Sequence, residues 1–182
     1  MIGNFFAIKI LKRNFCTYEE CLNLVEVRCM RELLHPNIVM MHDVIMESNT
    51  LYLALEWMDC DLYQLIKVRG HPFSEEKVRN LSFQLFKGLA YMHQQGYCHR
   101  YLKLENLLVS QDTIKIVDFG LAKNLLHELG NPLQSYVLTC PYRAPELLLD
   151  PLVMTSPLIS RRWVLSWQNF WLATISLVAL WR

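Results

Sequence analysis

The run Tyr97-Cys98-His99-Arg100-Tyr101-Leu102-Lys103-Leu104-Glu105-Asn106-Leu107-Leu108-Val109, with Val117-Asp118-Phe119-Gly120 a short way beyond it, decides how this chain is read. Ile114-Lys-Ile-Val117 has the length and content of a strand, and it delivers Asp118 at its end. On the other side, Ser74 is a helix N-cap. The apolar positions Val78, Leu81, Leu85, Leu89 and Met92 then recur at three and four residues until Gly96 ends the helix. A stripe that wide needs a partner to cover it.

Working outward to the N-terminal side, Phe5-Phe-Ala-Ile-Lys-Ile-Leu11 is long enough for a strand and too short for a helix, and it carries one lysine, Lys9. Thr17-Tyr-Glu-Glu20 is a capping box, in which Glu20 is expected to reach back to the amide of Thr17. Leu22, Val25, Cys29, Met30 and Leu33 continue it at helical spacing, and His35-Pro36 ends the helix. Glu26 falls near the edge of that apolar face, within reach of Lys9; an ordinary solvated glutamate is the alternative. Ile38 to Ile45 and Leu51 to Glu56 read as a strand pair around the polar turn Glu47-Ser-Asn-Thr50. Glu56-Trp-Met-Asp-Cys-Asp61 then leaves the sheet and leads into a helical start at Leu62-Tyr-Gln-Leu-Ile66.

At 182 residues and 53% hydrophobic content the chain is able to bury a core, and its length suggests one domain. A formal charge of +1 gives no reason to expect a nucleic-acid or membrane-surface partner. The six cysteines fall in no ligand-like spacing and follow no secretory signal, which points to reduced thiols and a cytoplasmic or nuclear protein.

The spacing of His99, Arg100, Tyr101, Leu102 and Asn106 matches H-R-D-L-x-x-x-N, and Asp118-Phe-Gly120 matches D-F-G. With Ala7-Ile-Lys9, Glu26, His35-Pro-Asn-Ile-Val39 and Ala144-Pro-Glu146 in the same order, the chain resembles a eukaryotic protein kinase of the serine/threonine type from about Phe6 to Leu149. Asn23-Leu-Val-Glu-Val27 and Tyr142-Arg143 are similar to the male germ cell-associated kinase group, near the cyclin-dependent and MAP kinases. The resemblance implies an α+β, kinase-like bilobal fold in partial form: a reduced N-lobe sheet with one helix, and an incomplete helical C-lobe. Residues 1–150 would form the partial kinase domain.

It further implies ATP and Mg2+ as cofactors and phosphoryl transfer to protein serine or threonine. Lys9 would hold the α/β-phosphates and pair with Glu26; Asn106 and Asp118 would hold the metal. Leu55 would be the gatekeeper and Glu56 to Met58 the hinge against adenine, with Leu108 also at the nucleotide. His99, Arg100 and Lys103 would belong to the catalytic loop, Lys103 steadying the γ-phosphate.

Tyr101 stands where the family has its catalytic aspartate. A phenol has an ordinary pKa of about 10, so it is already protonated at neutral pH, and it is bulkier than a carboxylate where the acceptor hydroxyl must sit. Loss of a positioned base typically lowers a rate by about 10²–10⁴. The expectation is therefore an impaired or inactive site. A non-catalytic pseudokinase acting as a binding module and a membrane-tethered fragment are the alternatives, with the protein substrate or partner unknown.

Further departures are expected at both ends. Only Met1 to Asn4 precede the lysine strand, so the Gly-rich phosphate cover is expected to be missing, and most of the C-lobe beyond Glu146 likewise. The stripe on the helix ending at Gly96 is then expected to lie uncovered, each large side chain forfeiting about 1.5–3 kcal/mol. Gln134-Ser-Tyr136 sits where relatives carry T-x-Y, which keeps the tyrosine phosphosite alone, and Cys140-Pro141 replaces Arg-Trp.

Residues 151–182 do not resemble what precedes them: four of the five tryptophans lie there, and 163–181 carry no charge. That length meets the criterion for a membrane span, although a membrane role is not the favoured reading. A replacement for the absent buried helix is another reading. The preferred one is a shifted frame, because one nucleotide upstream codon degeneracy permits D-I-S-A-V-G-S-I-L-A-E-L-L over Ile159 to Trp171, similar to the family's D-x-W-A-V-G-x-I-x-A-E-L.

Overall fold

The computed structural model describes residues 5–11 and 14–124. The expectations placed on residues 125–182, including the activation-segment motifs and the uncharged tail, lie outside the described residues. The architecture is mixed α+β, a small antiparallel sheet with helices followed by a mainly helical part, as the motifs implied.

Strand β1 (Phe6–Leu11) pairs antiparallel with β3 (Thr50–Glu56), which pairs in turn with β2 (Met41–Glu47), giving the order β1-β3-β2. The register sets Lys9 opposite Leu53 and Ala7 opposite Leu55. Because strand side chains alternate, Ala7, Lys9 and Leu11 turn inward while Phe6, Ile8 and Ile10 turn outward. The β2–β3 connection is a two-residue turn with Ser48 and Asn49 both at positive φ (47° and 61°), the geometry whose twist suits a tight hairpin. The first of the two strands starts later than the pattern suggested: Ile38 instead makes an isolated parallel bridge to Ile116.

The single helix expected after Thr17 is two. The Thr17 hydroxyl accepts from the Glu20 N–H at 3.2 Å, but the Glu20 carboxylate takes the N–H of Cys16 rather than that of Thr17. Helix α1 (Tyr18–Leu22) stops at Asn23, and α2 (Val25–Glu32) restarts after Leu24 in extended backbone. The break rotates the buried face. Val25, expected inward, is exposed, whereas Glu26, Val27, Cys29 and Met30 are buried.

Past the sheet, β4 (Cys60–Asp61) leads into α3 (Leu62–Arg69), whose N-cap Asp61 accepts from Gln64 N–H at 2.8 Å and whose end is Gly70 at φ 70°. Helix α4 (Glu75–Gln94) starts at Ser74, whose hydroxyl accepts from Lys77 N–H, and its first turn holds Glu75 and Glu76, favourable at the positive end of the helix dipole. Strand β5 (Tyr97–Cys98) follows, paired with β8 (Lys123–Asn124). Then β6 (Leu107–Ser110) and β7 (Thr113–Ile116) form a hairpin, with β4 on the far side of β6.

The α4 stripe is not left uncovered. Leu81, Leu85, Leu89 and Met92 are all buried, with Val78 packed at the margin of the same core. Among the described residues the elements packed on it are β7 and β5. Close approach is possible because Gly88 has no side chain: a Cβ there would sit 3.1 Å from both the Asn37 carbonyl oxygen and Ile116 Cδ1. Asn37 is the buried polar link at that point. Its side-chain amide donates to Gln84 Oε1 and to the Ile114 carbonyl, each at 3.0 Å, and its own carbonyl accepts from Ile116 N–H. Val39 N–H adds a bond to the Ile116 carbonyl. The segment after α2 is thereby stitched to β7.

Among the described residues no helix is long and apolar enough to cross a membrane.

Candidate functional site

Lys9 projects from the inner face of β1 toward two carboxylates. Its Nζ lies 2.5 Å from Glu26 Oε1 and 2.9 Å from Asp118 Oδ1, so one ammonium bridges helix α2 to the residue that ends the β7 segment. Burial pulls the Lys9 pKa down, but the bonds and charges of Glu26 and then Asp118 outweigh it and leave the ammonium above its usual range. Burial pushes the Glu26 carboxyl up; Lys9 opposes this and the nearby Asp118 charge adds to it. Gly120 lies against both acids, since a Cβ there would be 3.6 Å from Asp118 Oδ1 and 3.7 Å from Glu26 Oε2.

Asp118 is held at φ 69°, a left-handed conformation that a non-glycine residue keeps only where surroundings enforce it. Phe119 enforces it from one side, fully buried and meeting the His99 ring edge-on with centroids 5.3 Å apart. His99 is itself completely buried. Its Nε2–H donates to the Val117 carbonyl at 3.0 Å and its Nδ1 accepts from Tyr101 N–H at 3.3 Å, so both ring nitrogens are used in the neutral form. Burial lowers its pKa, with the Val117 bond and the Asp118 charge opposing. His99 thus props the backbone on both sides of the site. Arg100 follows at φ 63°, its guanidinium half-buried.

Asn106 closes a 3-10 turn, Leu104–Asn106, and is buried. Its Nδ2 donates to the Tyr101 carbonyl at 2.9 Å, leaving the amide oxygen as the end a hard cation takes. A carboxylate from Asp118 and an amide oxygen from Asn106 are a suitable partial donor set for Mg2+, which commonly completes its shell with waters and phosphate oxygens. The residues present fit that metal.

Tyr101 is engaged by the lysine two residues on. Lys103 Nζ lies 4.7 Å from the Tyr101 ring centroid and 3.4 Å from its hydroxyl oxygen, so the lysine expected to meet a phosphate is also engaged with the phenol.

The remaining expected residues divide. Leu55 is buried on β3, beside the strand end that would meet an adenine ring. Leu108 is half-buried on β6 between the fully buried Leu107 and Val109, so it faces away from the core. Met58 lies half-buried in the connection after β3. The Glu56 side chain is engaged within the fold. Its carboxylate accepts from Lys115 Nζ at 2.7 and 2.8 Å and from Met40 N–H at 2.6 Å, which leaves its backbone as the part that is able to meet a base.

Sequence reasoning did not find Lys115. It points from the middle of β7, in a run read only as a strand, and nothing local announces its partner. Asn37 was quoted within a motif, but its part in joining α4 and β7 was not read.

Comparison with known proteins agrees with this arrangement. The protein kinase domain model matches residues 2–158. Cyclin-dependent kinase F-4 of Oryza sativa subsp. japonica is 51% identical over 154 residues, covering 85% of this chain and 33% of that protein. Serine/threonine-protein kinase ICK of Rattus norvegicus is 45% identical over 157 residues and serine/threonine-protein kinase MAK of Homo sapiens 43% over the same length, each covering 86% of this chain and 25% of the relative. The chain thus spans between a quarter and a third of the length of these relatives. Protein kinase domains as a family use ATP and Mg2+. The resemblance read from the motifs is borne out, and the chain belongs to the protein kinase domain family, beside serine/threonine kinases of the cyclin-dependent and male germ cell-associated type.

Proposed function

We propose that this chain holds Mg2+-ATP in a serine/threonine-kinase site and transfers its phosphoryl group to protein slowly, if at all. The observation that carries the reading is the Lys9 bridge: one ammonium at 2.5 Å from Glu26 and 2.9 Å from Asp118 fixes the β1 lysine, helix α2 and the metal carboxylate in one arrangement. When bound, ATP supplies the phosphoryl group and Mg2+ neutralises its developing charge. Lys9 would orient the phosphates, with Asn106 and Asp118 on the metal and Leu55, Leu108 and the 56–58 backbone around the base. Lys103 would meet the terminal phosphate only after leaving the Tyr101 ring. Tyr101 offers a hydroxyl donor where a proton acceptor is required, and that is the source of the impairment.

A second reading is a non-catalytic binding module that uses the nucleotide as a structural ligand. The engagement of Lys103 by Tyr101 favours it. Its partner would be a protein, and a cytoplasmic or nuclear setting suits either reading.

Thermal unfolding with and without Mg2+-ATP tests the shared part. A ligand at a hundred times its Kd stabilises the folded chain by about 2.7 kcal/mol. The expected result is a rise in Tm that EDTA reduces and that Asp118→Asn or Lys9→Met removes. A Tm indifferent to nucleotide, or a shift that both variants retain, would refute the proposal.

A further inference from the structure

Tyr97 lies outside the residues so far assigned to the site, and its side chain joins helix α2 to the β5–β8 pair. It is buried, on β5, directly before Cys98 and His99. Its hydroxyl lies 2.5 Å from Glu32 Oε2, at the last residue of α2. The Asn124 side chain also hydrogen-bonds the phenol, and Asn124 is the backbone partner of Tyr97 in the β5–β8 ladder. Burial raises the phenol's pKa and Glu32 adds to it, so the hydroxyl stays protonated and donates to the carboxylate.

Glu26 and Glu32 sit at opposite ends of α2, six residues or about 9 Å of helix apart. Lys9 holds one end and Tyr97 the other. Val27, Cys29 and Met30 seat the middle of α2 in the core, and the two side-chain bonds hold its ends. Loss of the Tyr97 bond frees the Glu32 end to shift, and a rigid helix carries that shift to Glu26.

We infer that Tyr97 is a positioning residue for the nucleotide site: by donating to Glu32 it fixes the pose of α2 that keeps Glu26 on Lys9, and by pairing with Asn124 it sets that pose relative to Asp118. The inference rests on the reading of Lys9, Glu26 and Asp118 as the nucleotide and metal site.

The test uses the whole chain. Tyr97→Phe keeps the ring that fills the buried position and deletes only the hydroxyl, and Glu32 is exposed, so neither Glu32→Ala nor Glu32→Gln disturbs the core. Two quantities are measured: hydrogen exchange of the α2 amides without ligand, and the Kd of Mg2+-ADP by fluorescence competition. Tyr97→Phe and Glu32→Ala are each expected to speed α2 exchange and weaken Mg2+-ADP by about three- to tenfold, the scale of one net hydrogen bond. Glu32→Gln, which keeps an acceptor oxygen, stays within about twofold of the unmodified chain, and the double variant Tyr97→Phe/Glu32→Ala is no worse than either single one. Unchanged α2 exchange in Tyr97→Phe, or single effects that add in the double variant, would overturn the inference. If the unmodified chain fails to bind Mg2+-ADP, that failure counts against the functional reading. The exchange arm still decides whether Tyr97 pins α2.

Discussion

Replacing the phenol by a carboxylate, Tyr101→Asp, is the perturbation from which most is learned. The backbone at this position is fixed by groups that do not involve the side chain: Tyr101 N–H donates to His99 Nδ1, and the Tyr101 carbonyl accepts from Asn106 Nδ2. The exchange is therefore confined to what projects from Cα. It removes the ring over which Lys103 rests, an attraction of about 0.5–1 kcal/mol at partly exposed sites. It supplies in return a carboxylate that Lys103 is able to pair with, so folding stability should move by no more than about 1 kcal/mol. The barrier to transfer should fall much further. A positioned base contributes about 10²–10⁴ in rate, which is about 3–5 kcal/mol.

The assay is transfer of radiolabelled phosphate from Mg2+-ATP to a mixed serine/threonine peptide pool by the 182-residue chain, with Kd for the nucleotide measured in parallel. The expected outcome is a rate gain of at least about a hundredfold at unchanged nucleotide affinity, abolished by a further Asp118→Asn. An unchanged rate with intact nucleotide affinity would show that Tyr101 does not stand at the base position. Turnover by the unmodified chain at an ordinary kinase rate, about 1–100 per second, would refute the reasoning from the other direction.

Other perturbations test the scaffold. His99 is buried neutral with its pKa below the ordinary value, so the unfolded chain gains its proton first on acidification. Stability from this group is complete above about pH 6.5 and is lost as pH falls toward the depressed value; comparing urea midpoints of the unmodified chain and His99→Gln at pH 7 and 5.5 should show a smaller acid loss in the variant. Gly88→Ala forces a Cβ to 3.1 Å from a carbonyl oxygen already fixed by Ile116 N–H, and the overpacking, about 1–3 kcal/mol, exceeds the helix propensity gained. Net destabilisation in a urea titration is expected, and stabilisation would contradict the packing described. Lys115→Met leaves the part-buried Glu56 carboxylate with only Met40 N–H, lowering stability by about 1–3 kcal/mol by the same measurement.

What was legible in the sequence was what short spacing controls. The His99-to-Asn106 loop and Asp118 come together because β6 and β7 are joined by a tight hairpin that returns the chain to the same place. Lys9 and Glu26 were readable as a pair because a strand lysine followed by a capped helix leaves few other placements. The rest depended on contacts that local pattern does not encode. The α4 stripe showed that a partner was needed, but its spacing alone did not single out β7 and β5, which pack on it among the described residues. The break at Asn23-Leu24 turned Val25 out and Glu26 in because tertiary packing overrode a continuous helical period. The Glu56 carboxylate bonds Lys115, a partner 59 positions away that no local pattern announces.

The stitching of residues 37–39 onto β7 has a mechanical consequence. Strand β2 leaves that anchored segment at Met40, and β3 leaves the sheet at Glu56; these two exits are bonded to each other, Glu56 N–H to the Met40 carbonyl at 3.0 Å. The entry to β2 and the exit from β3 therefore run side by side. The register shift between Met41 and Asp43 falls directly beside that bond, so the sheet's regular pairing begins only past the point where the two exits are tied.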